Sequence, residues 1–221
     1  MINQPPCLTD AAHFVTLWLR VAPTAQVADI EAMHMRLCSA YRQAWRNYHA
    51  LDHIEHCLRQ FDGARAAIAD RDEVELALWY HDVVYLPGDV DNEIRSAEWF
   101  MRDACGHLPA AQCERIHALI MATTHHAPPH YATSAWVVDI DLSSFGLPWP
   151  DFLHDSHAVR AEMKDQDDER YVVAHSAFLH SLLARPRLFT TEHFHALYEQ
   201  TARDNITRLL EAYAAGVTTQ V

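Results

Sequence analysis

The sequence has little glycine, few basic residues and no long apolar run. Glycine occurs five times in 221 residues, and the glycines and ten prolines interrupt runs of helical periodicity, where they mark helix ends. Seventeen Lys and Arg stand against thirty Asp and Glu, which gives a formal net charge of −13. Because no basic cluster stands out, the composition argues against a protein that binds duplex nucleic acid electrostatically.

The sequence also lacks paired cysteines and membrane-type segments. The five cysteines are an odd number and form no C-x-x-C pair, so we expect reduced, mostly buried thiols in a cytoplasmic protein. No segment approaches the roughly 20 apolar residues of a membrane span, and the first residues lack a basic start followed by an apolar stretch. We therefore expect neither secretion nor membrane insertion.

The periodicity between the breaks predicts an all-α helical bundle. The stretch "AWVVDIDLSSFG" has the β-branched content of a strand, but a lone strand would have no pairing partner. We expect one domain over residues 1–221, with a motif-bearing core at about 26–145 and C-terminal helices at about 150–214. The predicted helices are at roughly 8–20, 26–45, 48–62, 71–86, 91–105, 109–124, 150–184 (continuous or interrupted) and 191–214.

The first candidate for chemistry is the His-Asp pair in "ALWYHDVVYLPG". His81 and Asp82 stand in an otherwise apolar and aromatic run, near the C-terminal end of a predicted helix where the helix dipole disfavours an anion. A buried carboxylate needs a cationic or hydrogen-bonding partner. An Arg or the neighbouring His could supply it, and so could a divalent metal ion, for which imidazole plus carboxylate is a common ligand set.

Two further segments offer ligands for such an ion. In "NYHALDHIEH", His49, His53 and His56 recur at steps of four and three, which places them on one face of a predicted helix. A solvated polar face is the alternative interpretation of this pattern. In "WVVDIDLSSFG", Asp139 and Asp141 lie beside apolar residues, as ligands or as turn-forming residues.

Taken together, these residues resemble the signature of the HD-domain metal-dependent phosphohydrolases. That signature is a His, a His-Asp pair some 30 residues later and a distant Asp, all on helices around one metal centre. Here it corresponds to His53, His81 with Asp82, and Asp141. A small bacterial branch of predicted phosphohydrolases is most similar, through blocks that match Tyr48, His49, His53, the run 81–85, Asn92, Glu93, Ser96 and Ala97.

The same blocks are similar to the catalytic domain of cyclic-nucleotide phosphodiesterases, which share "YHN..H", "HD…PG…N" and "ADLS". The counterpart "IDLS" favours Asp141 over Asp139 as the ligand. Those enzymes have a histidine where this sequence has Tyr85, which favours one bound metal ion over two. The chain is also too short for their full substrate pocket, so the resemblance does not imply cyclic nucleotides.

The resemblance implies a phosphohydrolase that uses one divalent ion (Mn, Fe, Ni, Co, Zn or Mg) to activate a water against a phosphate ester. The ester would belong to a nucleotide or another small phosphorylated metabolite, with no duplex nucleic acid or membrane as partner. His49 would protonate the leaving oxygen or steer the phosphate. Glu93 would orient the water or bind in the outer shell of the metal, and the alternative is an N-terminal carboxylate that matches the dipole of its helix. Candidates for substrate binding are His125, His126 and His130 in "TTHHAPPH", and Arg160 and Lys164 in a charged run that otherwise reads as a solvated face.

Two other functions remain open from the sequence. The first is a non-catalytic module that keeps the metal site and senses a nucleotide. The second is an iron-dependent oxygenase on the same helical scaffold, because some proteins of HD type use iron in that way. The oligomeric state is not addressed by any feature of the sequence.

Overall fold

The computed structural model describes residues 7–125, 129 and 131–216, and this part of the chain is entirely helical, without strands. The prediction of an all-α fold is therefore confirmed. Three short 3₁₀ segments, Arg65–Ala67, Ala122–Thr124 and Leu142–Gly146, connect longer helices. The α-helices among the described residues are α1 (Ala11–Val21), α2 (Val27–Tyr41), α3 (Leu51–Ala64), α4 (Arg71–Tyr80), α5 (Asn92–Ala104), α6 (Ala110–Met121), α7 (Ala132–Asp141), α8 (Trp149–Glu162), α9 (Asp168–Leu183) and α10 (Glu192–Ala214).

Helix α4 is the central helix of the bundle. Every residue from Glu73 to Tyr80 is buried, and α1, α3, α5, α6 and α7 all pack against this helix. This agrees with its sequence, which is apolar nearly all the way round. Side chains from all ten helices join one cluster of buried apolar residues. The end of α4, which carries the His-Asp pair, is thereby fixed in the interior.

The stretch "AWVVDIDLSSFG" forms a helix that the sequence analysis did not assign. Residues 136–141 belong to α7, and a 3₁₀ segment from Leu142 to Gly146 follows directly. Val137, Val138 and Ile140 are fully buried, so tertiary packing outweighs the strand preference of β-branched residues. Gly146 ends the segment against α10, where any Cβ would overlap the ring of Tyr198. This packing fixes the position at which α7 delivers its final residue, Asp141.

The C-terminal predicted helix at 150–184 is two helices. Helix α8 ends at Glu162 and α9 begins at Asp168, where the side chain of Asp167 accepts a hydrogen bond from the Arg170 amide at 2.9 Å. This N-cap explains the interruption, because an Asp at that position satisfies one of the free amides of the new helix. Helix α8 then packs against the 3₁₀ segment Leu142–Gly146, and α9 packs against α10.

Two other predicted helices are shorter than expected. Helix α2 ends at Tyr41 instead of 45, and α3 begins at Leu51 instead of 48. The segment between them is a series of turns, in which the backbone amides of Asn47, Tyr48 and His49 all donate to one carboxylate oxygen of Glu162. His49 therefore precedes the helix that carries His53, and the prediction that both lie on one helical face was wrong.

Candidate metal centre

The predicted metal ligands come from three separate parts of the fold. His53 lies in the first turn of α3, His81 and Asp82 follow the last residue of α4, and Asp141 is the last residue of α7. The side chains of His53 and His81 are 2% and 1% exposed, and the two carboxylates are each 13% exposed. The fold thus gathers two imidazoles and two carboxylates at one buried point.

The ligand atoms converge on one another. Nε2 of His53 is 3.2 Å from Nε2 of His81 and 3.2 Å from Oδ1 of Asp141. Oδ2 of Asp82 is 3.1 Å from Nε2 of His81 and 3.6 Å from Nε2 of His53. Two atoms bound to one ion at about 2.1 Å, at angles of about 90–110°, are about 3.0–3.4 Å apart. Three of these four separations fall within that range, and the fourth, between Asp82 and His53, is longer at 3.6 Å.

The hydrogen bond on the far side of the His81 ring identifies which nitrogen faces the centre. Nδ1 of His81 lies 2.9 Å from the Leu78 carbonyl oxygen, which can only accept, so Nδ1 carries the hydrogen. In the neutral ring Nε2 is then an acceptor, aimed at the other ligand atoms. A ring held in this way by a backbone carbonyl is the usual arrangement of a metal-binding histidine.

The electrostatics of this group of acceptors favour positive charge. Burial alone would lower the pKa of His81, but the charges of Asp82 and Asp141 outweigh burial and raise that pKa well above its usual range. Burial would raise the pKa of Asp82 and of Asp141, but the charge of His81 and hydrogen bonds from neighbouring histidines lower both. The centre therefore favours positive charge between its two carboxylates, which is the role of a metal ion.

Cys57, one turn after His53 on α3, adds a sulfur to the centre. The ligand atoms of His53, Cys57, His81 and Asp141 lie within 4.8 Å of one another, so this cluster could hold a metal ion. Asp82 stands outside that set of four, but its short distances to both histidines bring it to the same point. Sequence reasoning had treated Cys57 only as a buried thiol.

His125 holds the second oxygen of Asp141. Its Nε2 donates to Oδ2 of Asp141 at 2.8 Å, while Oδ1 faces His53. The residue has a left-handed backbone with φ of 55°, a conformation that costs free energy in a non-glycine residue. Arg185 on the far side donates to its carbonyl oxygen at 2.8 Å. His125 thus acts on the carboxylate ligand, while its predicted neighbours His126 and His130 lie outside the described residues.

His49 lines the cavity beside the centre and is held from two sides. Its Nδ1 donates to Oε2 of Glu162 at 2.6 Å, and its ring stacks on Tyr85 with centroids 3.9 Å apart. Burial would lower the pKa of His49, but the charges of Asp82, Glu162 and Asp141 and the Glu162 hydrogen bond raise it. His49 therefore keeps a proton more readily than a free histidine. Tyr85 packs against this ring.

The pH dependence of protein stability tests the contact between Glu162 and His49. Burial would raise its pKa, but the His49 contact and the amides of Tyr48 and His49 lower it. A carboxyl group whose folded pKa is lowered adds stability above its unfolded pKa of about 4.3, and that stability is lost as the pH falls through the folded value. We expect Glu162→Gln to lower the melting temperature at pH 7, by an amount that shrinks below about pH 4. Glu169→Gln, on the exposed first turn of α9, is the control and should show no such difference. An unchanged gap between wild type and Glu162→Gln down to pH 3 would contradict this assignment.

Arg46 connects the segments that carry His49 and Asp82. Its guanidinium donates to the carbonyl oxygens of His49 at 2.9 Å, Asp82 at 2.7 Å and Val83 at 2.8 Å. The carbonyls of Asp82 and Val83 belong to the turn that follows Tyr80, where α4 ends although the sequence predicted a helix to 86. Buried backbone groups need such partners. Arg46 therefore stabilises the turn that presents the His-Asp pair.

Replacing Arg46 with alanine should destabilise the protein strongly. Three buried carbonyls lose charged donors, so we expect a loss of about 3 kcal/mol or more. For a chain of this size that corresponds to a fall in melting temperature of about 6–12 °C. Arg42→Ala, one turn earlier at an exposed position, should stay within about 0.5 kcal/mol. Thermal unfolding of both variants measures the difference, and equal melting temperatures would contradict the role given to Arg46.

The loop after the His-Asp pair is fixed by the start of α5. The side-chain amide of Asn92 donates to the carbonyl oxygens of Leu86 and Asp89. The Ser96 hydroxyl accepts from the backbone amide of Val84 and donates to its carbonyl oxygen. Glu93 follows Asn92 and lines the cavity at the centre. Burial, opposed by its own backbone amide and assisted by the charge of Asp82, raises the pKa of Glu93. A carboxyl with a raised pKa is suited to exchanging a proton with a water in the cavity.

The cavity beside these residues has a volume of about 220 Å³. The N-terminal part of the chain and α7 supply most of its ionisable groups. Helices α8 and α9 and the 3₁₀ segment after α7 supply its apolar side chains, together with Asp155 and His175. Its described lining residues are Tyr48, His49, Asp82, Glu93, Thr123, His125, Asp141, Leu142, Ser144, Phe145, Phe152, Asp155, Ser156, Val159, His175 and Phe178. A larger cavity of about 940 Å³ lies beside α6, but it contains none of the converging histidines.

Several predicted site residues do not reach this cavity. Asp139 is fully buried two residues before Asp141, and its carboxylate accepts hydrogen bonds from Thr190 and Thr191 at the start of α10. Arg160 donates to Asp168 and to the carbonyl oxygens of residues 163 and 166, which ties α8 to α9. Lys164 is exposed in the turn between these helices. Asp139 therefore connects α7 to the start of α10, and Arg160 stabilises the turn between α8 and α9.

His56 is also separate from the centre. Its Nε2 donates to the Ser143 hydroxyl at 2.8 Å, and that hydroxyl donates to the carbonyl oxygen of Ile140. Burial, with the charge of His53, lowers the pKa of His56 to about 4. It is neutral at pH 7 and connects α3 to the segment after α7.

Sequence reasoning missed Glu162, Arg46 and Cys57. Glu162 is more than 100 residues from His49, and no local pattern distinguishes a Glu that faces the core from one on a solvated face. Arg46 donates to backbone carbonyls, and the spacing of side chains in the sequence does not indicate such bonds. Cys57 alone had an available signal, because it lies four residues after His53 on the same helical face.

The described part of the chain contains no helix long and apolar enough to cross a membrane. Comparisons of the chain with protein-family models, with curated proteins and with solved structures give no match in any of the three.

Proposed function

We propose that this protein is a metal-dependent phosphohydrolase of HD-domain type that releases phosphate from a small phosphate ester. The observation that carries the proposal is the convergence of His53, His81, Asp82 and Asp141, whose ligand atoms lie 3.1–3.6 Å from their neighbours. Their order along the chain is that of the signature the sequence resembles. A buried histidine and carboxylate centre that opens into a cavity also has the composition of a catalytic metal site.

The residues of the centre would hold one divalent ion through Nε2 of both histidines and one oxygen of each aspartate. When bound, such an ion lowers the pKa of a water and polarises a phosphoryl oxygen. His125 keeps Asp141 oriented by its hydrogen bond to the outer oxygen. Glu93, on the cavity wall, accepts the proton that the attacking water releases.

His49 supplies the second proton transfer. Its Nδ1 is occupied by Glu162, so Nε2 is the nitrogen available to a ligand in the cavity. As the bond between phosphorus and the leaving oxygen breaks, Nε2 of the imidazolium donates its proton to that oxygen. Glu162 stabilises the positive charge before the transfer and fixes the ring in position.

Metal content and phosphate release together test the proposal. The protein is stripped with a chelator, reloaded separately with Mn, Fe, Co, Ni, Zn or Mg, and analysed for bound metal and for phosphate release from sugar phosphates and nucleotides. We expect about one tightly bound ion per chain and no phosphate release from the stripped protein. Failure to bind any of these ions, or full activity without one, would overturn the proposal.

The same experiment separates the alternatives. Thermal stabilisation by nucleotides without product release would identify a sensing module. Oxygen consumption by the iron-loaded protein alone would identify an oxygenase.

A further inference from the structure

Apolar side chains form a continuous wall in the cavity beside the candidate metal centre. The rings of Phe152 and Phe145 have centroids 5.7 Å apart, Phe145 and Phe178 are 6.3 Å apart, and Phe178 is 6.3 Å from His125. His125 in turn bonds Asp141 of the centre. Leu142 and Val159 complete the apolar lining. A ligand bound at the centre would therefore contact hydrocarbon as soon as it extends towards α8 and α9.

Apart from the histidines, the charged side chains described in the cavity lining are all negative. The described lining residues include four carboxylates, those of Asp82, Glu93, Asp141 and Asp155, and contain no Lys or Arg. Residues 126–128 and 130, which lie outside the described residues, include no Lys or Arg in the sequence. Proteins hold phosphate chains with Arg and Lys. A second or third phosphate group would here face carboxylates without a compensating side-chain cation.

The cavity is also small. Its volume of about 220 Å³ is below the roughly 300–1,000 Å³ of pockets that enclose drug-sized ligands. A phosphate with one ring or a short chain is compatible with this space. A nucleoside with several phosphates is larger than the cavity.

One polar group interrupts the apolar wall. Burial lowers the pKa of His175 to about 4, so its ring is neutral at pH 7. Nδ1 lies 3.1 Å from the Tyr171 hydroxyl and 2.9 Å from the Tyr213 hydroxyl, within hydrogen-bond distance of both. His175 therefore adds no positive charge for a phosphate chain.

We propose that the substrate is a small phosphate monoester whose organic group is a single apolar ring or a short apolar chain, and that nucleotide polyphosphates are excluded. The proposal rests on the proposed function, because it takes the metal centre as the position of the phosphate. The apolar group lies against Phe178, Phe145 and Phe152.

Matched esters test the proposal with the metal-loaded protein. Benzyl phosphate and glycerol 3-phosphate share an alkyl leaving group and one phosphate, and differ in the polarity of the organic group. We expect kcat/KM to be at least about tenfold higher for benzyl phosphate, which corresponds to burial of part of one ring. Benzyl diphosphate and adenosine 5′-triphosphate should both be at least about a hundredfold poorer than benzyl phosphate. Equal or better turnover of either one, or of glycerol 3-phosphate, would overturn the proposal.

Two variants localise the effect. Phe178→Ala should reduce the preference for benzyl phosphate over glycerol 3-phosphate, whereas Val173→Ala, at an exposed position of the same helix, should leave it unchanged. Asp155→Asn should raise kcat/KM for benzyl diphosphate relative to benzyl phosphate, because it removes one of the repelling charges. Unchanged ratios in both Phe178→Ala and Asp155→Asn would contradict the assignment of this cavity.

Binding distinguishes failure of this proposal from failure of the proposed function. Benzylphosphonic acid cannot be hydrolysed at an ester bond, so its binding is measured by thermal stabilisation of the metal-loaded protein. Stabilisation without turnover of any ester would refute hydrolysis and support the ligand class. Turnover of esters without a preference for the apolar group would support hydrolysis and refute the ligand class.

Discussion

Replacing Asp141 with asparagine is expected to weaken metal binding at least about a hundredfold and to lower kcat/KM for a phosphate ester about a thousandfold. Loss of a residue that only orients a metal ligand already costs about 10–100-fold in affinity, and Asp141 is proposed as a ligand itself. A bound ion contributes several kcal/mol to catalysis, and about 4 kcal/mol corresponds to a thousandfold in rate. Elemental analysis and phosphate release measure both effects.

Asp139→Asn is the matched control, two residues earlier on the same helix. Burial outweighs the hydrogen bonds from Thr191 and Thr190 and raises the pKa of Asp139 to about 6. Its carboxylate accepts three hydrogen bonds, so the amide should cost about 1–3 kcal/mol in stability and leave metal binding intact. Added metal ion should therefore raise the melting temperature of wild type and of Asp139→Asn, but not that of Asp141→Asn. If metal ion instead raised the melting temperature of Asp141→Asn but not that of Asp139→Asn, Asp139 would be the ligand in place of Asp141.

Replacing His49 with glutamine is expected to lower kcat by about 100- to 10,000-fold for an alkyl phosphate while the metal content stays at the wild-type value. The size of the loss should depend on the leaving group. An alkoxide needs a proton as it departs, whereas p-nitrophenolate is stable without one. We therefore expect a much smaller loss with p-nitrophenyl phosphate, measured under the same conditions.

His56→Gln is the control for His49→Gln. His56 bonds Ser143 and does not line the cavity, so this variant should keep wild-type kcat for both esters. The kcat of Glu162→Gln should lie between those of His49→Gln and His56→Gln. This variant keeps an acceptor for the three backbone amides but removes the negative charge that stabilises protonated His49. Equal losses with both esters in His49→Gln would show that His49 does not protonate the leaving oxygen.

The fold class and the members of the candidate centre could be predicted from residues that act locally. A His-Asp pair in an apolar helix is unfavourable without a partner, and this conflict is visible within a dozen residues. His53 and Asp141 then stood out as polar groups in similar settings. The structure brings His81, Asp82, His53 and Asp141 together. Asp139 instead accepts a hydrogen bond from Thr190, just before α10.

Other features were not predictable because their cause lies far away in the sequence. The turn after α4 depends on Arg46, which donates to the carbonyls of Asp82 and Val83. The turn before α3 depends on Glu162 of α8. The helix at residues 132–141 forms because its β-branched residues are buried by neighbouring helices. In each case a tertiary contact outweighs the local preference.

By itself the sequence determined an all-α chain, since helical periodicity is a local property of side-chain spacing. It also determined which ionisable residues conflict with an apolar setting. Only the tertiary structure decided which aspartate faces the histidines and how His49 is held. It also decided that the described residues lining the cavity form an apolar wall and include no Lys or Arg. These features depend on side chains that meet from α3, α4, α7, α8 and α9, and the spacing of residues within any one helix does not encode such meetings.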